Sequence, residues 1–260
     1  MARLLQASTA SLARAVGFAR SLVVYYGQPW RIRALRRHYA SMVEPGDLVF
    51  DIGAHVGNQT RCLARLGARV IAVEPQPAFA AWLRRLFRGD ARVVVVESAV
   101  GAKVGVARLY QSARTPTVAT LSTDWMASVR AAKSFAGVRW EAPLEVPVTT
   151  LDALIEQHGL PQFCKIDVEG FEAEILRGLS RPIALVSFEY VPAAISIACE
   201  AVGLLAALGP YRFNATIGER RRFHWPAWRE RATIEDWLRQ RRPDERSGDV
   251  YARLESSGTS

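Results

Sequence analysis

The stretch Leu48-Val49-Phe50-Asp51-Ile52-Gly53-Ala54-His55-Val56-Gly57-Asn58 decides the fold. Leu48–Ile52 is an apolar run interrupted only by Asp51, which reads as a strand covered on both faces. Gly53 and Gly57 mark a turn, and the residues after it, Gln59–Leu66, read as a helix that Gly67 can cap. Strand, glycine turn and helix in this order open a βαβ unit. The same alternation continues with a strand at Arg69–Val73, a helix through Phe79–Phe87 and a strand at Arg92–Glu97. Such alternation predicts an open, doubly wound parallel sheet.

The pattern then breaks. Ala102–Leu109 reads as an extra strand, and Gln111–Pro147 as an irregular polar insert. Alternation resumes with a helix at Leu151–His158, a strand at Phe163–Val168, a helix at Glu172–Leu179 and a strand at Ile183–Phe188. A helix near Ala194–Leu208, a strand at Tyr211–Ile217, a basic excursion at Arg220–Arg242 and a closing strand at Asp249–Leu254 complete the chain. Both excursions are expected to border an acceptor pocket, because long connections in a compact α/β domain usually carry specificity.

With 260 residues, half of them hydrophobic, the chain can bury one substantial core. Its net charge of +9 is compatible with nucleic acid, an acidic membrane surface or an anionic substrate, and does not choose among them. Cys62, Cys164 and Cys199 lack the short spacing of a zinc or redox motif, which favours a reducing compartment and a cytoplasmic location. No stretch reads as a membrane span; the longest apolar run, Val191–Leu208, carries Pro192, Glu200 and Gly203. Seven arginines precede the first acid, Glu44. Such a start resembles a transit peptide or an interfacial helix, but it runs without a linker into Tyr39–Glu44, which favours a basic helical lead-in.

In open α/β sheets ligands bind beyond the carboxyl ends of the strands. A dinucleotide fingerprint needs G-x-G-x-x-G, and His55 stands where the second glycine belongs. S-adenosylmethionine carries no phosphate, and its ammonium and sulfonium suit a site with carboxylates such as Asp51. Gly53 would let backbone approach that ligand, so Gly53→Val is expected to fill its space and spare the strand core. Gly57 would let the helix pack on the strand. Glu74, ending the next strand, can accept from both ribose hydroxyls, and Ser98 and Ala99 leave room for adenine. In Lys165-Ile166-Asp167-Val168-Glu169-Gly170, period-two alternation puts Lys165, Asp167 and Glu169 on one side. Three charges there would be costly without a polar site.

The run from Tyr25-Tyr26-Gly27 through Gly46–Gly57, with Ala72-Val73-Glu74-Pro75, Thr150-Leu151-Asp152 and Lys165-Ile166-Asp167-Val168-Glu169-Gly170-Phe171-Glu172, resembles the FkbM-type methyltransferases, in the right order and spacing. The resemblance implies a class I methyltransferase (Rossmann-like) fold: a seven-stranded, mostly parallel sheet with helices on both faces. The likeness covers roughly Gly46 to Phe188; with the basic lead-in read over 1–45, the S-adenosylmethionine-dependent domain is expected over 46–260. The resemblance also implies cofactor contacts from Asp51, Gly53 and Glu74, with Asp167 and Glu169 facing the reaction; Ala54, Gly57, Ser98 and Ala99, at the same strand ends, are expected to complete the cofactor site. The expected chemistry is methyl transfer to a hydroxyl of a sugar or secondary-metabolite-type acceptor, with Asp167 or Glu169 as base. A divalent metal on these two carboxylates is the weaker alternative, because no third ligand is identifiable, and no metal is expected. Nucleic acid is not an expected partner, whereas peripheral membrane contact through the basic N-terminus is compatible with the pattern. The rival reading is a non-catalytic nucleic-acid or membrane-surface binder using its basic flanks.

Overall fold

The structure is a computed structural model that describes residues 16–23, 25–112, 115–130, 132, 135–141, 143–218 and 221–255. A helical stretch over 16–23 leads to α1 (Pro29–Tyr39). Then come β1 (Leu48–Ile52), α2 (Asn58–Arg65), β2 (Arg69–Val73), α3 (Pro77–Leu86) and β3 (Val93–Val96). The short strands β4 (Ala99–Val100) and β5 (Gly105–Leu109) precede α4 (Thr123–Val129) and β6 (Leu144–Thr149). The remainder is α5 (Leu151–His158), β7 (Phe163–Ile166), α6 (Glu172–Arg177), β8 (Leu185–Tyr190), α7 (Ile195–Leu208), β9 (Tyr211–Ala215), α8 (Arg231–Arg239) and β10 (Gly248–Leu254).

Seven strands form the main sheet in the order β3-β2-β1-β7-β8-β10-β9. All neighbours from β3 to β8 are parallel, and β10 runs antiparallel to β8 and β9. This is the expected seven-stranded class I methyltransferase sheet. The order reverses between β1 and β7, which opens a crevice at their carboxyl ends. The extra strand expected before the insert is β5, in a second sheet ordered β4-β6-β5.

The strands of the centre are buried on both faces, as continuous apolar runs require: every residue of β1 and β7 is buried. On one face Phe50, Ile52, Ile166 and Phe188 join Val202, Leu205 and Trp237 from α7 and α8. On the other, Leu35, Tyr39 and Val43 of the lead-in pack with Val49, Leu63, Val70 and Phe163. The segment read as a basic lead-in therefore supplies core side chains. Thr150 caps α5, its hydroxyl accepting from Ala153 N at 3.1 Å. All three cysteines are free, with Cys62 and Cys164 buried. Among the described residues no helix is long and apolar enough to cross a membrane.

The insert departs from the irregular polar reading. Trp125 of α4 is 1% exposed and gathers Val118, Met126, Phe135 and Trp140 into a small apolar cluster against Val191 and Ala194. Ser122 caps this helix by accepting from Trp125 N at 3.0 Å. Tertiary packing around one tryptophan overrides the polar composition.

Candidate active site

The glycine turn after β1 is built for packing. Gly53 has φ +83°, and a Cβ there would lie 2.0 Å from the Asp167 carbonyl oxygen on the neighbouring strand end. Gly57 has φ +79°, and a Cβ there would run into Leu83 and Phe87 beside α3. The expectation that Gly53→Val would spare the strand core is therefore corrected: valine would force β1 and β7 apart before it reached any ligand.

Gly53, Glu74, Ser98, Ala99, Asp167 and Glu169 do line one cavity at the crevice, together with His55 and Phe171. Asp51, Ala54 and Gly57 are not among its lining residues. Asp51 sits 1% exposed within the sheet, and its Oδ2 accepts from Thr60 Oγ1 at 2.5 Å. Burial raises its pKa, opposed by Lys165 and by the Thr60 hydroxyl.

Glu74 is 2% exposed and held at both oxygens: Oε2 accepts from His55 N at 2.8 Å and Oε1 from Gln76 N at 2.9 Å. The Gln76 side chain adds a further hydrogen bond to this carboxylate. Burial pushes the Glu74 pKa up to about 7, against the two backbone donors. His55 was missed by the sequence reading as a site residue. Its backbone is left-handed (φ 47°), its ring packs tilted against Phe79 with centroids 4.3 Å apart, and burial lowers its pKa to about 4. Its Nε2 is buried without a hydrogen-bond partner. An orphaned imidazole nitrogen beside an anchored carboxylate suits a ligand that brings its own polar groups, as a ribose and an amino acid moiety would.

The acidic end of the site is made by the turn after β7. The strand ends at Ile166, so period-two alternation does not carry to Glu169. Glu169 is instead turned into place by a left-handed backbone (φ 55°) followed by Gly170 (φ +89°). Thr120 Oγ1 donates to the Glu169 carbonyl at 2.7 Å, and Gly170 abuts the Trp125 ring, so the insert braces this turn. Within the turn, Glu172 Oε1 accepts from Gly170 N at 3.2 Å.

Lys165, 2% exposed, donates to Asp167 Oδ2 at 2.6 Å. Burial opposes the Asp167 charge, but the ammonium beside it more than offsets this and holds the pKa below the usual carboxylate value. Glu169 shows the opposite: burial, then the charges of Asp167 and Glu172, raise its pKa well above normal. The sequence reading also missed Glu189 of β8. Carboxylate oxygens of Asp167, Glu169 and Glu189 lie within 4.8 Å of one another. Burial and the charges of Glu169 and Asp167 raise Glu189 as well. Glu189 is the third carboxylate that could not be identified from the sequence.

A second cavity of about 720 Å³ opens beside the first. Glu169 lines both. Glu189, Arg31, Phe135, Val191 and Arg246 line the second. The insert reaches it through Val118 and Phe135, whereas among the described residues the basic excursion borders it through its flanks, Gly218 and Pro243–Ser247.

A family model described as the methyltransferase FkbM domain matches residues 51–242. The hexuronic acid methyltransferase AglP of Haloferax volcanii is 26% identical over 182 residues, which are 66% of this chain and 69% of that protein. Among solved structures, the O-methyltransferase from Bacillus cereus in complex with SAH aligns over 95% of this chain and 91% of its own, at 15% identity and a TM-score of 0.45. The precorrin-6y C5,15-methyltransferase from Geobacter metallireducens aligns over 88% of both chains, at 12% identity and a TM-score of 0.45.

Proposed function

The chain belongs to the FkbM methyltransferase family, and we propose that it moves a methyl group from S-adenosylmethionine to a hydroxyl oxygen of an acidic sugar. The binding-only alternative gives way to this family assignment. The observation that carries the reading is the meeting of two cavities at Glu169. One has the anchored carboxylate and orphaned imidazole suited to the donor, and the other is large enough for a sugar.

S-adenosylmethionine, when bound, supplies a methyl group already activated on a sulfonium. The protein therefore has to align the reactants, exclude water and accept a proton. Glu74 would accept from the two ribose hydroxyls, with Gly53, Ser98 and Ala99 along the cavity wall. Phe171 and Leu121 give the donor cavity apolar surface that keeps water out. Glu169, facing both cavities, would accept the acceptor's hydroxyl proton. Asp167, tied to Lys165, would shape the field around it.

The acidic character of the acceptor rests on Arg31 and Arg246. Both line the second cavity, are exposed, and have no carboxylate partner among the described residues. The AglP relative acts on a hexuronic acid. Three clustered carboxylates would repel an acidic nucleophile at the reacting position, so the sugar's own carboxylate belongs at the arginines and a hydroxyl belongs at Glu169.

Tritiated methyl donor offered with neutral and uronic-acid-containing oligosaccharides tests this reading. Label should appear preferentially on the acidic set, and equal labelling of neutral sugars would overturn the acidic acceptor. Arg246→Gln should raise KM for the acidic acceptor about tenfold or more, since a charge-assisted contact is worth about 1.5–3 kcal/mol. Cofactor affinity should not change.

Glu74→Gln should weaken binding of adenosylhomocysteine, measured by calorimetry, by about tenfold or more through loss of charge-assisted acceptors. In the wild type the ionised carboxylate is the binding form, and its pKa in the free protein is about 7. Affinity should therefore fall as pH drops through that value. A flat affinity from pH 6 to 8 would remove Glu74 from the contact set.

A further inference from the structure

Away from both cavities, Arg33 and Arg36 of α1 and Arg61 and Arg65 of α2 converge on a single concavity of about 250 Å³. Tyr26 and Asn58 complete much of its wall. No carboxylate forms an ion pair with any of the four arginines among the described residues. The Arg61 guanidinium instead lies 5.6 Å from the Tyr26 ring. Four unneutralised guanidinium groups around one hollow repel each other, and an anion seated between them relieves that repulsion.

The adjoining helical stretch over 16–23 is amphipathic in an unusual sense. Phe18 packs inward on Phe79 and Trp82 with ring centroids 5.1 and 5.6 Å away, and Ser21 is buried beside it. Val16, Arg20 and Val23, on the opposite side by helical periodicity, face out. Val16 is 60% exposed and Val23 69%, and Trp30 at the start of α1 is 66% exposed. Outward apolar side chains with a tryptophan, flanked by arginines and no acid before Glu44, match the chemistry of a bilayer interface.

We propose that this face docks on an anionic lipid bilayer, the arginine concavity taking a lipid phosphate and the Val16, Val23 and Trp30 side chains entering the interfacial layer. Nucleic acid would satisfy the arginines but not the outward valines. The same segment contributes Tyr25 to the donor cavity and Arg31 to the acceptor cavity, so docking would hold the acceptor entrance beside the membrane.

The test is vesicle co-sedimentation of the full chain on phosphatidylcholine alone and with about one-third phosphatidylglycerol. Binding should be at least tenfold stronger on the anionic vesicles and should fall steeply when salt is raised. Replacing Arg33, Arg36, Arg61 and Arg65 with Gln should cost about fivefold per arginine, on the order of a hundredfold or more in all. Turnover of a soluble acceptor and the circular-dichroism melt should be retained. A second variant, Val23→Gln with Trp30→Gln, keeps the arginines and should weaken vesicle binding while leaving capture of inorganic phosphate intact. Should the fourfold variant fail to fold, the second variant and the salt titration of the wild type decide. Equal binding to neutral vesicles, salt-independent binding, or binding of a single-stranded oligonucleotide with none to vesicles would each overturn the proposal.

Discussion

Glu169→Gln is expected to lower the single-turnover rate of methyl transfer by about 10²–10⁴-fold, the usual cost of losing a general base. Affinity for adenosylhomocysteine should stay within about twofold, because the lost interaction is made only as the hydroxyl gives up its proton. Among the described residues no donor hydrogen-bonds the Glu169 carboxylate, whereas Asp167 has Oδ2 occupied by the buried Lys165 ammonium. Burial and neighbouring acids raise the Glu169 pKa, and a raised pKa makes the ionised form the stronger base. The rate should therefore climb with pH as Glu169 loses its proton, and that limb should vanish in Glu169→Gln. Glu189 is itself raised by burial and by the Glu169 charge, so the two carboxylates titrate together and the apparent value of the limb belongs to the pair. Turnover unchanged in Glu169→Gln would end its assignment as base. Loss of wild-type turnover on adding EDTA, restored by a divalent cation, would recast the three carboxylates as ligands.

Much of this site was readable because strand ends announce themselves. Glu74 follows β2, whose four residues after Arg69 are apolar and buried, and an acid at that position in an open α/β sheet has few structural excuses. Glu189 gave no such signal, since it lies inside a run of buried residues in β8. Its position follows only from register: Ile166 pairs with Phe188, so the next residue on each strand is Asp167 and Glu189. Asp51 is the converse case. A carboxylate beside a glycine turn suggests a ligand contact, yet here the side chain turns to Thr60 within the sheet. Glu169 was found by an alternation that stops three residues earlier, and two consecutive left-handed residues restored what the broken strand took away. The insert could not be read because one tryptophan with scattered partners leaves no periodic trace.

Asp167→Asn should behave differently from Glu169→Gln, by striking the fold as well as the rate. Lys165 is 2% exposed, and burial works against its charge, but Asp167, Asp249 and Asp51 more than compensate. Removing the partner of a buried charge costs about 3–5 kcal/mol. The Asp167 side chain is 35% exposed, so solvent screens part of the pair and the lower end, about 3 kcal/mol, applies. For a chain of this size that is a fall in Tm of roughly 6–9 °C by calorimetry. The pH dependence has a definite sign. The folded pKa of Asp167 is lowered from 3.8, so the pair's contribution is present above that value and is lost as pH falls below it. The gap between wild type and Asp167→Asn should thus be constant from pH 5 to 8 and close in acid. Combining Asp167→Asn with Lys165→Met removes both charges and should recover part of the loss, giving a coupling that the single substitutions cannot show. If Asp167→Asn melted with the wild type at neutral pH, the ion pair would carry no structural weight. Asp167 would then compete with Glu169 for the role of base.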